Sequence, residues 1–274
     1  MTRELHHVVL NPSGDTTVLF LHGFMGSTED WRTVAHELAE EYRCVLVDLP
    51  GHGYTPVRSD ADAYRIERVA QDLVHLVDRL DPAPFFLTGY SMGGRVALYI
   101  AAQYAARIQG LVVESASPGL LTETDRAERR DYDARLAGEL ETGDWKTFLR
   151  QWYATPLFET LHNHGRRFEE LLERRHKNNP RELARVLRGM GTGAQPSLWE
   201  SLPDIRVPTL LVVGEHDTKY RGIAEQMRNL LPRAAVAVMP GAGHNVHFEK
   251  PADYTTLLRG LFDDLRESAA GAAP

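Results

Sequence analysis

Seven short apolar runs punctuate the chain, at residues 5–10, 17–22, 44–48, 85–88, 110–114, 209–213 and 235–239. Most are continuous rather than alternating, the pattern of strands covered on both faces of a parallel sheet. Between them, apolar positions recur at helical spacing over 27–42, 65–80, 95–104, 223–231 and 252–267. Strand and helix in alternation predict an α/β fold built on a doubly wound, mostly parallel sheet.

The alternation stops between Pro118 and Pro203. No run in this stretch reads as a strand, and highly charged helical patterns occupy 124–141, 144–153, 166–176 and 181–188. The chain therefore divides into a core of residues 1–117 and 204–274 and a helical cap, 118–203, inserted after the fifth core strand. A length of 274 residues suits one such domain with an insertion. Gly189-Met190-Gly191-Thr192-Gly193 follows no strand, so it reads as a cap connection and not as a dinucleotide loop. Residues 268–274, mostly small, read as a frayed tail.

Candidate chemistry sits where the fourth run meets its helix, at Gly89-Tyr90-Ser91-Met92-Gly93. A sharp strand-to-helix turn needs small flanking residues, and it lifts the central hydroxyl to the rim of the sheet. There the helix N-terminus favours developing negative charge. Serine needs a neighbouring base and an orienting carboxylate. In doubly wound hydrolase sheets these follow in the order serine, acid, histidine. Asp217 follows the sixth run in Gly214-Glu215-His216-Asp217, and His244 follows the seventh in Gly241-Ala242-Gly243-His244. All three fall at carboxyl ends of expected strands, the edge where open α/β sheets bind ligands.

With 12 histidines in the chain, position has to choose among them. His22 and His52, beside glycines, read as loop braces, while His247 is a rival base and Glu215 a rival acid. His22-Gly23-Phe24-Met25-Gly26-Ser27 follows the second strand, and the amides of Phe24 and Met92 are the expected oxyanion hole. Asp48-Leu49-Pro50-Gly51-His52-Gly53 reads as a structural turn.

Composition narrows the rest. A net charge of −7 argues against nonspecific binding to nucleic acid or anionic membranes. The one cysteine, Cys44, lies in a strand-like run and can form neither a disulfide framework nor a zinc site by itself, so a cytoplasmic setting is expected. Residues 1–7 lack a signal-peptide core, and no apolar run approaches the roughly 18 residues of a membrane span. No cofactor and no metal are expected, and oligomeric state is open.

Arg95 lies four residues after Ser91, where a helical side chain leans back toward the N-terminus and the site. The cap adds Arg126, Arg129, Arg130, Arg166, Arg167, Arg174 and Arg175. Since 27 of 31 basic residues are arginine, most of these read as solvated faces. Arginine beside a nucleophile nonetheless suits a carboxylate-bearing ligand. Trp152 reads equally well as cavity wall or as cap packing.

Phe20–Ser27, Val47–Gly53 and Gly89–Ala97, with the cap segments Ser117-Pro118-Gly119-Leu120, Gln151-Trp152-Tyr153 and Arg175-His176-Lys177-Asn178-Asn179, resemble a known family over most of the chain. Gly193–Leu198 and Gly214–Tyr220 extend the match. The family is that of the α/β-hydrolase-fold lyases of menaquinone biosynthesis, the 2-succinyl-6-hydroxy-2,4-cyclohexadiene-1-carboxylate synthases. The resemblance implies an α/β-hydrolase fold and a Ser91, Asp217, His244 triad. It also implies carboxylate contacts from Arg95, Arg129 and Arg175, with Tyr90 and Trp152 lining the pocket. The implied partner is a small polycarboxylate substrate, from which pyruvate is eliminated. His176-Lys177 departs from the family's asparagine-rich turn, which bears on the geometry around Arg175. A serine hydrolase of esters or carbon–carbon bonds is the enzymatic rival, and a non-catalytic small-molecule receptor the rival of another class.

Overall fold

The seven expected strands form one sheet in a computed structural model that describes residues 4–271. They are β1 (His7–Leu10), β2 (Thr17–Leu21), β3 (Arg43–Val47), β4 (Phe85–Tyr90), β5 (Ile108–Glu114), β6 (Thr209–Gly214) and β7 (Ala234–Met239). Their order across the sheet is β1-β3-β2-β4-β5-β6-β7, antiparallel between β1 and β3 and parallel elsewhere. Strand β4, which leads into Ser91, is therefore central, flanked by β2 and β5.

Both faces of the sheet are covered because each strand alternates its apolar side chains between them. Leu19, Leu21, Leu87 and Val113 pack against helices α2 (Ile66–Leu80) and α3 (Met92–Gln103). Val18, Phe20, Phe86 and Val112 pack on the opposite face. There they meet α1 (Arg32–Leu38) and the C-terminal helix, through residues such as Val34, Leu258 and Phe262.

Between β5 and β6 lie α4 (Glu123–Thr142), α5 (Trp145–Tyr153), α6 (Arg166–His176) and α7 (Pro180–Met190). Among the described residues this stretch contains no strand. These helices share an apolar cluster that includes Phe148, Phe168, Leu171 and Leu183, into which Met25 of the core inserts. After β6 come α8 (Thr218–Leu230), then β7, α9 (Val246–Glu249) and α10 (Pro251–Gly271).

Four expectations change at element ends. The helix expected over 27–42 is a 3-10 turn, Thr28–Asp30, followed by the shorter α1. The buried Trp31 and the engagement of Asp30 with the cap interrupt it. Helix α3 starts at Met92 rather than 95, and α8 at Thr218 rather than 223, because Ser91 and Asp217 themselves end the preceding loops. The tail expected to fray from 268 continues as helix α10 to Gly271, and residues 272–274 lie outside the described residues. So does the Met1–Arg3 part of the N-terminal reading. Among the described residues no helix is long and apolar enough to cross a membrane.

Candidate active site

Ser91 caps α3 with φ 49° and ψ −107°, a left-handed backbone that a non-glycine residue adopts at a cost on the order of 1–3 kcal/mol. Close packing of the elbow on β2 enforces it. A Cβ on Gly93 would stand 2.2 Å from the carbonyl oxygen of Leu21, so only glycine fits. The turn points the Ser91 hydroxyl at His244, whose Nε2 lies 3.2 Å from Oγ. His244 Nδ1 is 2.6 Å from Asp217 Oδ2. With Nδ1–H donated to that carboxylate, the Nε2 lone pair faces the serine proton, the tautomer a general base requires. Asp217 is held in turn by the amide of Tyr220, which donates to Oδ1 at 3.3 Å.

The rival residues are occupied elsewhere. Glu215 accepts from the Gly241 amide and is exposed. His247 is buried against Glu114, with Nδ1 2.8 Å from Oε2. His22 and His52 brace loops: the amides of Leu49 and Met25 donate to their Nε2 atoms at 3.0 and 3.1 Å. Because His52 takes the Met25 amide, that donor is not available to a ligand. The amides of Phe24 and Met92 have no acceptor among the described residues. Asp48 ties its turn together by accepting from the Thr28 and Tyr54 amides.

A cavity of about 160 Å³ lies over Ser91. Its walls include Tyr90, Arg95, Arg129, Trp152 and Arg175, every side chain expected to line it. Past Arg129, Thr192, Lys219 and Tyr220 it adjoins a surface groove of about 550 Å³. The glycine-rich connection contributes Met190, Gly191 and Thr192 to the cavity wall. Trp152 does both things expected of it, since its ring also packs 5.3 Å from Phe24 and 6.1 Å from Phe148.

The three arginines differ in how their charge is met. Arg95 donates to the Met190 carbonyl at 2.7 Å and to Gln195 Oε1 at 2.9 Å, and no carboxylate pairs with it among the described residues. Burial pushes its pKa down to about 10, with Arg129 adding a smaller push in the same direction. Arg129 engages Asp133 through Nε at 2.7 Å. Arg175, only 3 % exposed, makes a bidentate pair with Asp30 and donates from Nε to Tyr153 Oη. Arg126 and Arg130 pair with Glu123, and Arg166 with Glu170.

Several residues of the site escaped sequence reasoning. Tyr220, Lys219 and Asn245 line the cavity, and the ring of Tyr220 lies 4.7 Å from that of His244. Tyr220 and Lys219 follow Asp217 closely enough for the spacing to have suggested them. Asp30, Gln195 and Glu114 act through partners far away in sequence, and no local pattern marks them.

Known proteins share the sequence and fold of this chain over most of its length. Residues 16–251 match the family described as the alpha/beta hydrolase fold. A Salmonella agona protein, 2-succinyl-6-hydroxy-2,4-cyclohexadiene-1-carboxylate synthase, is 36% identical over 89% of this chain and 93% of its own. A Bacillus subtilis protein provisionally given the same name is 38% identical over 88% of both chains. Among solved structures, MenH from S. aureus superposes with a TM-score of 0.91 at 31% identity, covering 95% of this chain and 99% of its own. An esterase from Thermogutta terrifontis, solved with malate bound, reaches 0.84 at 26% identity over 95% and 93% of the two chains. The chain belongs to the α/β-hydrolase-fold family and, within it, to the family of the 2-succinyl-6-hydroxy-2,4-cyclohexadiene-1-carboxylate synthases.

Proposed function

We propose that the chain is a carbon–oxygen lyase. It eliminates pyruvate from 2-succinyl-5-enolpyruvyl-6-hydroxy-3-cyclohexene-1-carboxylate to give 2-succinyl-6-hydroxy-2,4-cyclohexadiene-1-carboxylate. The single observation that carries this reading is Arg95: a half-buried guanidinium with no carboxylate partner among the described residues, in the wall of the cavity that holds Ser91. A cation withdrawn from water with only neutral acceptors lacks a counter-charge, and an anionic ligand supplies one. A site built for apolar esters has no use for such a group. The names of the relatives point to the same chemistry.

In this mechanism Ser91 Oγ takes the ring proton beside the succinyl ketone while passing its own proton to His244 Nε2. Asp217 stabilises the imidazolium so formed. The ketone oxygen gathers the charge of the enolate, and the amides of Phe24 and Met92 hold it. Collapse of the enolate expels enolpyruvate, which takes the proton from His244 and becomes pyruvate. The parts that would stabilise a tetrahedral intermediate in an esterase here stabilise an enolate, and no acyl-enzyme forms. General-base help of this kind contributes roughly 10²–10⁴-fold.

Arg95 and Arg129 hold substrate carboxylates, Tyr90 and Trp152 flank the ring, and Arg175 closes the cavity from the cap with its charge shared by Asp30. The corresponding division is a core of 1–117 and 204–274 and a cap of 118–203. The free, buried Cys44 supports a reducing compartment, and a cytoplasmic setting is part of this reading. The test is incubation with the enolpyruvyl substrate while pyruvate release is followed. Wild type should turn over, and Ser91→Ala should lose about 10²–10⁴-fold in kcat. Burst release from short acyl esters with no pyruvate formation would instead mark a hydrolase.

A further inference from the structure

The catalytic histidine sits on a short loop, and two buried carboxylates pin that loop at its ends. On one side Glu249 accepts from the Gly243 amide with both oxygens at 3.1 Å. On the other, Glu114 accepts from the His247 amide at 3.1 Å and meets its Nδ1 at 2.8 Å. Glu114 is wholly buried, and His247 is the one basic side chain that pairs with it among the described residues. Burying a carboxylate is expensive, so the contact has to contribute something in return.

The backbone of the same residue shows what that is. Glu114 ends β5, where it stands in register with Tyr90, and its carbonyl oxygen accepts from the Ser91 amide at 2.8 Å. One residue thus grips the nucleophile through its main chain and the histidine loop through its side chain. Tyr90 fills the space between, its ring 5.4 Å from His244 and 4.9 Å from His247. Behind, the His247 ring stacks on Trp31 at 3.9 Å, which stops the loop from retreating.

We infer that Glu114 is a positioning residue, the brace that sets the distance between Ser91 and His244 by holding both of their loops. The contact depends on the reach and acceptor geometry of the side chain rather than on its charge. Serine nucleophiles lose about 10²-fold in rate when a reacting group is displaced by roughly 1 Å, so the brace is visible in serine reactivity itself.

The test uses phenylmethanesulfonyl fluoride on the folded enzyme. In that reaction the Ser91 Oγ–sulfur bond forms, the sulfur–fluorine bond breaks, the serine proton passes to His244, and fluoride leaves. The enolpyruvyl substrate is not involved, so the outcome stands apart from the assigned lyase activity. Glu114→Ala, confirmed folded by circular dichroism, should react about 10²-fold more slowly than wild type. Glu114→Gln, which keeps the acceptor for the His247 amide, should stay within a few-fold. If Glu114→Ala does not fold, Glu114→Asp takes its place. It keeps the charge but shortens the reach, and it should also be slow. A residue with only a structural role would lower thermal stability and leave the modification rate of folded protein unchanged. Wild-type reactivity in the Ala or Asp variant, or a Gln variant as slow as these, overturns the inference.

Discussion

Arg175 donates from Nη1 and Nη2 to Asp30 Oδ1 and Oδ2 at 2.9 and 2.7 Å, joining cap helix α6 to the core loop after β2. Both groups are almost fully buried. Burial acts to raise the Asp30 pKa, but the charge and hydrogen bonds of Arg175 overcome it and hold the carboxyl below its ordinary range. The pair is a latch between the two parts of the molecule. It also means that a ligand reaching Arg175 meets a guanidinium already engaged.

Removing one partner of such a pair leaves an uncompensated buried charge, which costs about 3–5 kcal/mol. Arg175→Ala and Asp30→Asn should therefore both lower the urea midpoint markedly. The double variant should lose less than the sum of the two. Additive losses would show that the groups do not depend on each other.

Arg95 behaves differently, because its partners are a carbonyl and an amide oxygen. Arg95→Ala should fold normally yet lose about 10–100-fold in kcat/KM for the trianionic substrate, as expected for charge-assisted hydrogen bonds of roughly 1.5–3 kcal/mol. Activity within a few-fold of wild type would refute the assignment. A di- or tricarboxylate that fits the cavity should raise Tm in wild type, by about 2.7 kcal/mol of stability at 100 times its Kd, and not in the variant.

Stability should fall as pH drops below about 6.5. Burial holds His52 well below its ordinary pKa, helped by the neighbouring charge of His22, and burial lowers His22 too. Each accepts an amide hydrogen at Nε2, which an imidazolium could not do. The unfolded chain takes up protons at its ordinary pKa while the folded chain does not. Each histidine can thus remove up to about 1.4 kcal/mol per pH unit below about 6.5. Urea midpoints compared at about pH 7.5 and about pH 5.5 measure this. Equal midpoints would mean that both rings can be protonated in the fold.

Gly93→Ala should be severely destabilising, because the added Cβ would meet the backbone of Leu21 and His22 at 2.2 and 2.6 Å. Backbone atoms on a central strand cannot move aside, so the elbow must open. A thermal melt and the loss of sulfonyl fluoride labelling at Ser91 check the two parts of this expectation.

The strands, their parallel character and the convergence of Ser91, His244 and Asp217 were legible in the sequence because each depends on neighbours along the chain. Continuous apolar runs such as Thr17–Leu21 mark burial on both faces. The glycines around Ser91 mark a turn that needs them, and strand ends place Asp217 and His244 on one rim. Helix ends were less legible: 27–42 split because Asp30 turned to meet a residue 145 positions away. Distant pairing is also why the arginines could not be sorted by pattern. Arg95, Arg129 and Arg175 look alike in sequence, and only the fold gave one of them a carbonyl, one a half-buried pair and one a fully buried carboxylate. Glu114 shows the same limit, since its value lies in reaching His247 across 133 positions. Local spacing encodes which groups are present and which way they face. The charge and hydrogen-bond partner each finally meets depends on how the layers pack, and tertiary structure alone decides that.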